Sequence, residues 1–192
     1  MPGSEIPSGT ISVGLHPCYI TSKYQESLLH IQNLSKAEHV LAIGECGLDK
    51  ICSIDPELQT KVFIAQIQLA EEIQKPLIIH CVKAFDQLIK ILKEQNTTVP
   101  VIIHGFNNSS SIATSLLKQG FYLSFGKALL HSDSNASKAI RVSPPEKIFL
   151  ETDDATISIK RIFEEAGTRL GMNSEELRLQ IQSNFKKVFK HG

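Results

Sequence analysis

The sequence predicts an α/β fold of parallel strands joined by right-handed helical crossovers. Three observations lead there. Short apolar runs rich in branched residues recur along the chain, and they lack the polar alternation of a strand with one wet face. Amphipathic segments at helical spacing lie between them. No low-complexity tract or long linker interrupts this rhythm, so residues 1–192 read as one domain.

Taken in order, the first run is Ile11–Leu15, which ends in His16-Pro17. The second, Val40–Ile43, runs into Gly44-Glu45. A helix is then announced by Asp55-Pro56-Glu57, where Asp55 can cap free N–H groups and Pro56 suits the first helical position. Leu58, Val62, Ala65, Leu69 and Ile73 supply its apolar face, and Pro76 closes the segment. Leu77–Ile79 leads into His80, and Phe85, Leu88, Ile89 and Leu92 mark a helix beyond Cys81. Val101–Ile103 leads into His104, followed by a helix over Ser110–Lys118 that stops at Gly120. Phe121–Phe125 and Ile148–Leu150 complete six predicted strands, the last entering Glu151-Thr152-Asp153-Asp154. Helices over Ile159–Leu170 and Ser174–Phe189, parted by Gly171, finish the chain. An open doubly wound sheet and a barrel both fit this pattern. By count alone six strands favour the open sheet, but no Gly-rich fingerprint follows any strand, so nucleotide binding has no anchor.

Composition narrows the function classes. Twenty Lys+Arg balance 20 Asp+Glu, which argues against coating duplex DNA with a broad basic face but not against gripping a few phosphates. No apolar run is long enough to span a bilayer, and the start MPGSEIPSGT lacks a basic segment followed by an apolar one. A cytoplasmic protein without membrane contact is expected. The four cysteines, Cys18, Cys46, Cys52 and Cys81, form no C-x-x-C pair and are expected as reduced thiols.

The chemistry gathers at the ends of the apolar runs. In a parallel barrel all such ends lie on one rim, so Glu45, His80, His104 and Asp153 would converge although far apart in sequence. Imidazole nitrogens and carboxylate oxygens in that combination suit a divalent metal with a catalytic water, zinc or manganese, or magnesium where oxygen predominates. His16 also ends a run and is a candidate for orienting the site or binding substrate. Lys83 and Lys127 are candidates for steadying a phosphate. Cys46 and Cys81 each follow a candidate ligand and read as small residues packed under the rim. His30, His39, His131 and His191 read as surface residues.

These blocks also resemble a known family. Val13-Gly14-Leu15-His16-Pro17, Ala42-Ile43-Gly44-Glu45-Cys46-Gly47-Leu48-Asp49, Pro76-Leu77-Ile78-Ile79-His80-Cys81, Ile103-His104-Gly105-Phe106, Tyr122-Leu123-Ser124-Phe125 and Leu150-Glu151-Thr152-Asp153 are similar, in order, to the signature blocks of TatD-family metal-dependent DNases. Asn184-Phe185-Lys186-Lys187-Val188-Phe189 is similar to the family's last helix. The resemblance covers about residues 11 to 189.

It implies a TIM-type (β/α) barrel of the metal-dependent hydrolase type, with DNA as substrate and phosphodiester hydrolysis, often exonucleolytic, as the reaction. By that likeness Glu45 bridges two metals, His80 and His104 hold one, and Asp153 holds the other and helps activate water, so Asp153 and Glu45 are the catalytic pair. One or two ions of Mg²⁺, Mn²⁺ or Zn²⁺ are implied. Three departures accompany the likeness. The family's opening strand carries an H-x-H pair, and none precedes Ile11, so about six of eight strands are expected, through truncation or true degeneracy. Val82-Lys83 stands where the family often has Arg, and Asp154-Ala155-Thr156 stands in place of Ala-Pro-Tyr. A barrel short of its first units would leave Ile11–Leu15 and Ile148–Leu150 as open edges prone to self-association, with weakened activity. Two rival readings remain at this level: an amidohydrolase or esterase using the same metals on a small substrate, and a non-catalytic partial barrel acting as a binding protein.

Overall fold

The structure, a computed structural model, describes residues 9–189, so His191 lies outside the described residues. In chain order the elements are β1 (Ile11–Val13), α1 (Tyr24–Leu34), β2 (Val40–Asp49), α2 (Pro56–Ile73), β3 (Leu77–Val82), α3 (Phe85–Glu94), β4 (Val101–Ile103), α4 (Ser110–Lys118), β5 (Tyr122–Phe125), α5 (Asn135–Ala139), β6 (Ile148–Leu150), α6 (Ile159–Leu170) and α7 (Ser174–Phe189). The six strands are all parallel and pair in sequence order, β1-β2-β3-β4-β5-β6, forming a half-barrel whose edges are β1 and β6. Among the described residues no helix is long and apolar enough to cross a membrane.

The sheet has two apolar faces, as the missing polar alternation requires. Ile43, Leu77, Ile79, Val101, Ile103, Leu123, Phe125 and Ile148 join the main core with Leu88 of α3, Leu116 of α4 and Ile162 of α6. Ile102, Tyr122 and Phe149 point the other way and form a second cluster with Val188 of α7, bordered by Ile78 and Phe189. Side chains alternate between faces along a strand. His80, His104, Ser124 and Glu151 each stand two residues beyond a member or neighbour of that second cluster, so all four are on its face at the strands' C-terminal ends.

Four strands differ in length from the sequence reading, with β3 running on to Val82 and β5 starting at Tyr122. β1 stops at Val13 because Gly14 passes so close to β2 that a Cβ there would lie 2.7 Å from the Gly44 carbonyl carbon. β2 runs on to Asp49: after an irregularity between Ile43 and Cys46 it pairs with β3 again, from Cys46↔Ile79 to Asp49↔Val82. Gly47 makes that second stretch possible, with φ +137° and no room for a Cβ against the His80 carbonyl. Two helices, α1 and α5, go beyond the sequence reading. Lys23 gives α1 no side-chain cap, and α5 has only five residues.

Helix α2 fastens the C-terminal ends of β1 and β2. Asp55 caps it by accepting from Leu58 N–H at 2.9 Å, as expected. Its Gln59 and Gln66, seven residues apart and so on one face, are both buried. Gln66 accepts from Leu15 N–H at 2.7 Å and donates to Leu15 C=O at 3.1 Å. Gln59 accepts from Asp49 N–H at 2.8 Å and donates to Asp49 C=O and Ile54 C=O, both at 2.9 Å. Each amide thus satisfies backbone groups that leave the sheet just before His16 or just after the β2 pairing ends. Gln59→Leu removes all three bonds and strands the Asp49 amide in a buried setting. It is expected to lower stability by about 2–3 kcal/mol, read as a lower urea midpoint at unchanged slope. A midpoint equal to the parent's would show that the clamp contributes nothing.

Candidate metal centre

Five side chains named from the sequence meet on one face of the sheet. The donor atoms of His16, Glu45 and His80 lie within 4.8 Å of one another, and so do those of Glu45, His104 and Asp153. Glu45 belongs to both sets. The resemblance implied that His80 and His104 hold one ion together; here they fall into separate trios, with ring centroids 6.4 Å apart. His16 sits nearer His80, at 4.3 Å between centroids. Asp153 is exposed at the rim with a left-handed φ of 50°.

Each strand-end histidine has its own carboxylate. Asp49 Oδ2 is 2.8 Å from His80 Nε2, which leaves Nδ1 as the other ring nitrogen available to an ion. Glu151 Oε1 is 2.9 Å from His104 Nδ1, and His104 Nε2 faces Glu45 Oε1 at 3.6 Å. Glu151 is itself held: Gly105 N–H donates to Oε1 at 2.8 Å, and the Ser124 hydroxyl donates a short bond to Oε2. Asp49 accepts in turn from Ile51 N–H at 2.7 Å and Cys52 N–H at 3.3 Å. Carboxylates in this position fix a ligand's tautomer and ring angle.

Charges at the rim follow from these contacts. Burial alone would pull the His104 imidazole down, but the Glu151 hydrogen bond and the charges of Glu151, Glu45 and Asp153 outweigh it and raise it to about 9. Burial would likewise raise Glu151, yet the His104 bond and charge, with Ser124 and Gly105, hold it below the usual carboxylate range. Burial opposes ionisation of Asp49 too, and the bonds from His80, Ile51 and Cys52 overcome it. His16 goes the other way: burial first, then the neighbouring His80, lower it to about 4.

Glu151 and Asp49 were not singled out by sequence reasoning. Their signal was positional, since both end a strand in the same way as the histidines they serve. The two lysines stand apart from the trios. Lys127 is exposed and bonded to Asp154 at 2.9 Å, beside a cleft of about 160 Å³ lined by Gly105, Gly126, Glu151 and Asp153. Lys83 is exposed just beyond β3 with φ +53°.

The cysteines split into two classes. Cys46 is fully buried and Cys81 partly so, and burial pushes the Cys81 thiol up to about 12 and that of Cys46 higher still, as expected for packing residues. Cys18 and Cys52 differ from the expected reduced thiols: they form a disulfide, with Cα atoms 5.4 Å apart across 34 residues of sequence. The pairing of β1 with β2 makes their following loops neighbours, which spacing along the chain could not reveal.

Comparison with known proteins adds the following. The family model described as TatD related DNase matches residues 4–190. The chain is 31% identical over 195 residues to the Bacillus subtilis (strain 168) protein named uncharacterized metal-dependent hydrolase YabD, covering 93% of this chain and 76% of that one. It is 31% identical over 148 residues to the Erwinia billingiae protein named 3'-5' ssDNA/RNA exonuclease TatD, covering 74% of this chain and 56% of that one. The chain thus spans little more than half the length of some relatives, with 57% for one from Buchnera aphidicola. Among solved structures, the Escherichia coli TatD homologue YJJV aligns with a TM-score of 0.84 at 23% identity, over 95% of this chain and 77% of that chain. That likeness shows the fold.

The His104–Glu151 pair makes the metal-free protein's stability depend on pH. A histidine raised from 6.5 to about 9 on folding contributes fully below pH 6.5, and the contribution is lost as pH rises through 9. With Glu151 ionised throughout that range, unfolding in EDTA should lose on the order of 2 kcal/mol between pH 6.5 and 9.5 from this pair, after allowance for partial solvent screening. Glu151→Gln should flatten that slope. An equally steep decline in Glu151→Gln would assign the effect elsewhere.

Proposed function

The chain belongs to the TatD-related DNase family, a family of metal-dependent hydrolases, and on that premise we propose that it hydrolyses phosphodiester bonds in DNA at the Glu45 rim. The observation that carries the reading is the pair of donor trios sharing Glu45. Donor atoms within 4.8 Å of one another suit ions with bonds of about 2.1 Å after small closure, and the mixture of imidazole and carboxylate suits Zn²⁺ or Mn²⁺. Glu45, His80, His104 and Asp153 would hold one or two such ions, with His16 beside them. When bound, the metal supplies Lewis acidity toward a phosphoryl oxygen and lowers the pKa of a water.

The chain's own residues do the rest. Asp49 keeps a proton on His80 Nε2, so Nδ1 offers its lone pair. Glu151 keeps a proton on His104 Nδ1, so Nε2, once it has given up its own proton, would offer its lone pair beside Glu45. Asp153, exposed at the mouth, takes one proton of the attacking water as its oxygen bonds to phosphorus and the bond from phosphorus to the leaving sugar oxygen breaks, and solvent water protonates that leaving oxygen. Lys127, held by Asp154, and Lys83 would steady a phosphate outside the trios. A neutral net charge fits such local contacts better than a long basic track.

Elemental analysis of protein purified without chelator should find a divalent metal in the parent and little in the His80→Ala, His104→Ala double variant. With Mg²⁺ or Mn²⁺ present, single-stranded DNA should be cut, EDTA should stop the reaction, and Asp153→Asn should lower the rate roughly 10²–10⁴-fold. Equal metal in parent and double variant would overturn the ligand assignment. A full rate in Asp153→Asn would overturn its role as base.

A further inference from the structure

Cys18 and Cys52 lie outside the proposed chemistry yet contact His16 and the Asp49 that holds His80, and both histidines belong to one trio. Cys18 sits in the 3-10 turn Pro17–Tyr19 that His16 caps, and its N–H donates to His16 Nδ1 at 3.2 Å. Its sulfur is 3.6 Å from Asp49 Oδ2, the oxygen that holds His80. Cys52, on the loop after β2, donates its N–H to Asp49 Oδ1. The bond between the two sulfurs therefore closes a ring of contacts running from His16 through Cys18, Cys52 and Asp49 to His80.

Both cysteines are only partly buried, unlike Cys46, so a small thiol or disulfide can reach them. We propose that Cys18 and Cys52 are a redox-active pair whose disulfide latches the loop after β1 to the loop after β2 and holds His16 against the Asp49–His80 pair. A low-molecular-weight disulfide such as oxidised glutathione serves as oxidant. One cysteine thiolate attacks it, forming a mixed disulfide and releasing one small thiol, and the second cysteine displaces the other small thiol as the internal bond closes. The two cysteines lose two protons and two electrons between them, and the broken disulfide gains both.

When the bond opens, the loop carrying His16 is held by single hydrogen bonds and by the Gln66 clamp. Its ring is freer to leave His80, and the first trio loses its order. The effect on metal affinity rests on the metal reading above; the effect on the imidazoles does not.

The full chain would be equilibrated in glutathione buffers of graded ratio, quenched, unfolded and labelled with a maleimide. Two reactive thiols per chain, Cys46 and Cys81, should remain under oxidising conditions and four under reducing ones. Oxidised chain should bind Mn²⁺ about tenfold more tightly by calorimetry than reduced chain, the scale expected when an outer support is lost. Cys52→Ser should match the reduced chain in every buffer. In EDTA, the ring resonances of His16 and His80 should shift between the two redox states and not in Cys52→Ser. Four reactive thiols at every ratio would overturn the proposal. So would a disulfide that forms without moving either the imidazoles or the Mn²⁺ affinity. Uptake of one Zn²⁺ by the reduced chain, lost in Cys52→Ser, would make the pair a metal site instead. Redox-dependent imidazole shifts without Mn²⁺ binding in either state would uphold the latch and count against the metal reading alone.

Discussion

The rim depends on the parallel register of β3 to β6. With all strands running one way, every C-terminal end lies on the same edge, and with each strand in step with its neighbour, alternation puts His80, His104, Ser124 and Glu151 on the same face. A one-residue slip of any strand would bury its functional side chain in the helix-covered core and expose an isoleucine or leucine in its place. The large apolar cluster behind the sheet forbids that exchange. Thus the same burial that stabilises the fold also fixes which side chains face the rim.

Register alone leaves β1 short and the loop after it long, and here α2 matters. Its buried Gln59 and Gln66 satisfy the backbone of Asp49 and Leu15, the last points at which β2 and β1 are defined before their loops begin. Buried amides in such a place would be costly without partners; with every bond made, they fix where the loops depart. Loops that carry His16 and Cys52 are therefore anchored at their roots, and the Cys18–Cys52 bond joins them further out.

Much of this was legible in the sequence, for reasons that can be named. All six strands were, because two-sided burial leaves uninterrupted branched apolar runs. The boundaries of α4, α6 and α7 followed from glycine stops and clear apolar faces. That Glu45, His80, His104 and Asp153 come close together was legible because each follows such a run. What escaped was set by contacts across the sheet. The carboxylate partners Asp49 and Glu151 look like their neighbours until the register pairs them with imidazoles. The sorting of His80 and His104 into different trios depends on ring positions. The Cys18–Cys52 bond joins residues brought together only by β1–β2 pairing. Helix α1 lacks a capping side chain, so its start left no mark.

The environment also gives two histidines of one rim different states before any ion arrives. His16, lowered to about 4, is neutral at physiological pH and offers a lone pair at once. His104, raised to about 9, carries a proton that it must give up before Nε2 can act as a donor. The two trios therefore respond unequally to the same change of pH. On the proposed metal reading, the one with His16 and His80 would need no proton released from His16, whereas the one with His104 and Asp153 would give up a proton to the solvent on filling. Glu45, common to both, would tie them together, because an ion beside it would lower the cost of removing the His104 proton by opposing the positive charge there. An ion in one trio would thus favour the deprotonated form the other requires, and the shared carboxylate would couple the two positions through charge, with no movement of the backbone needed.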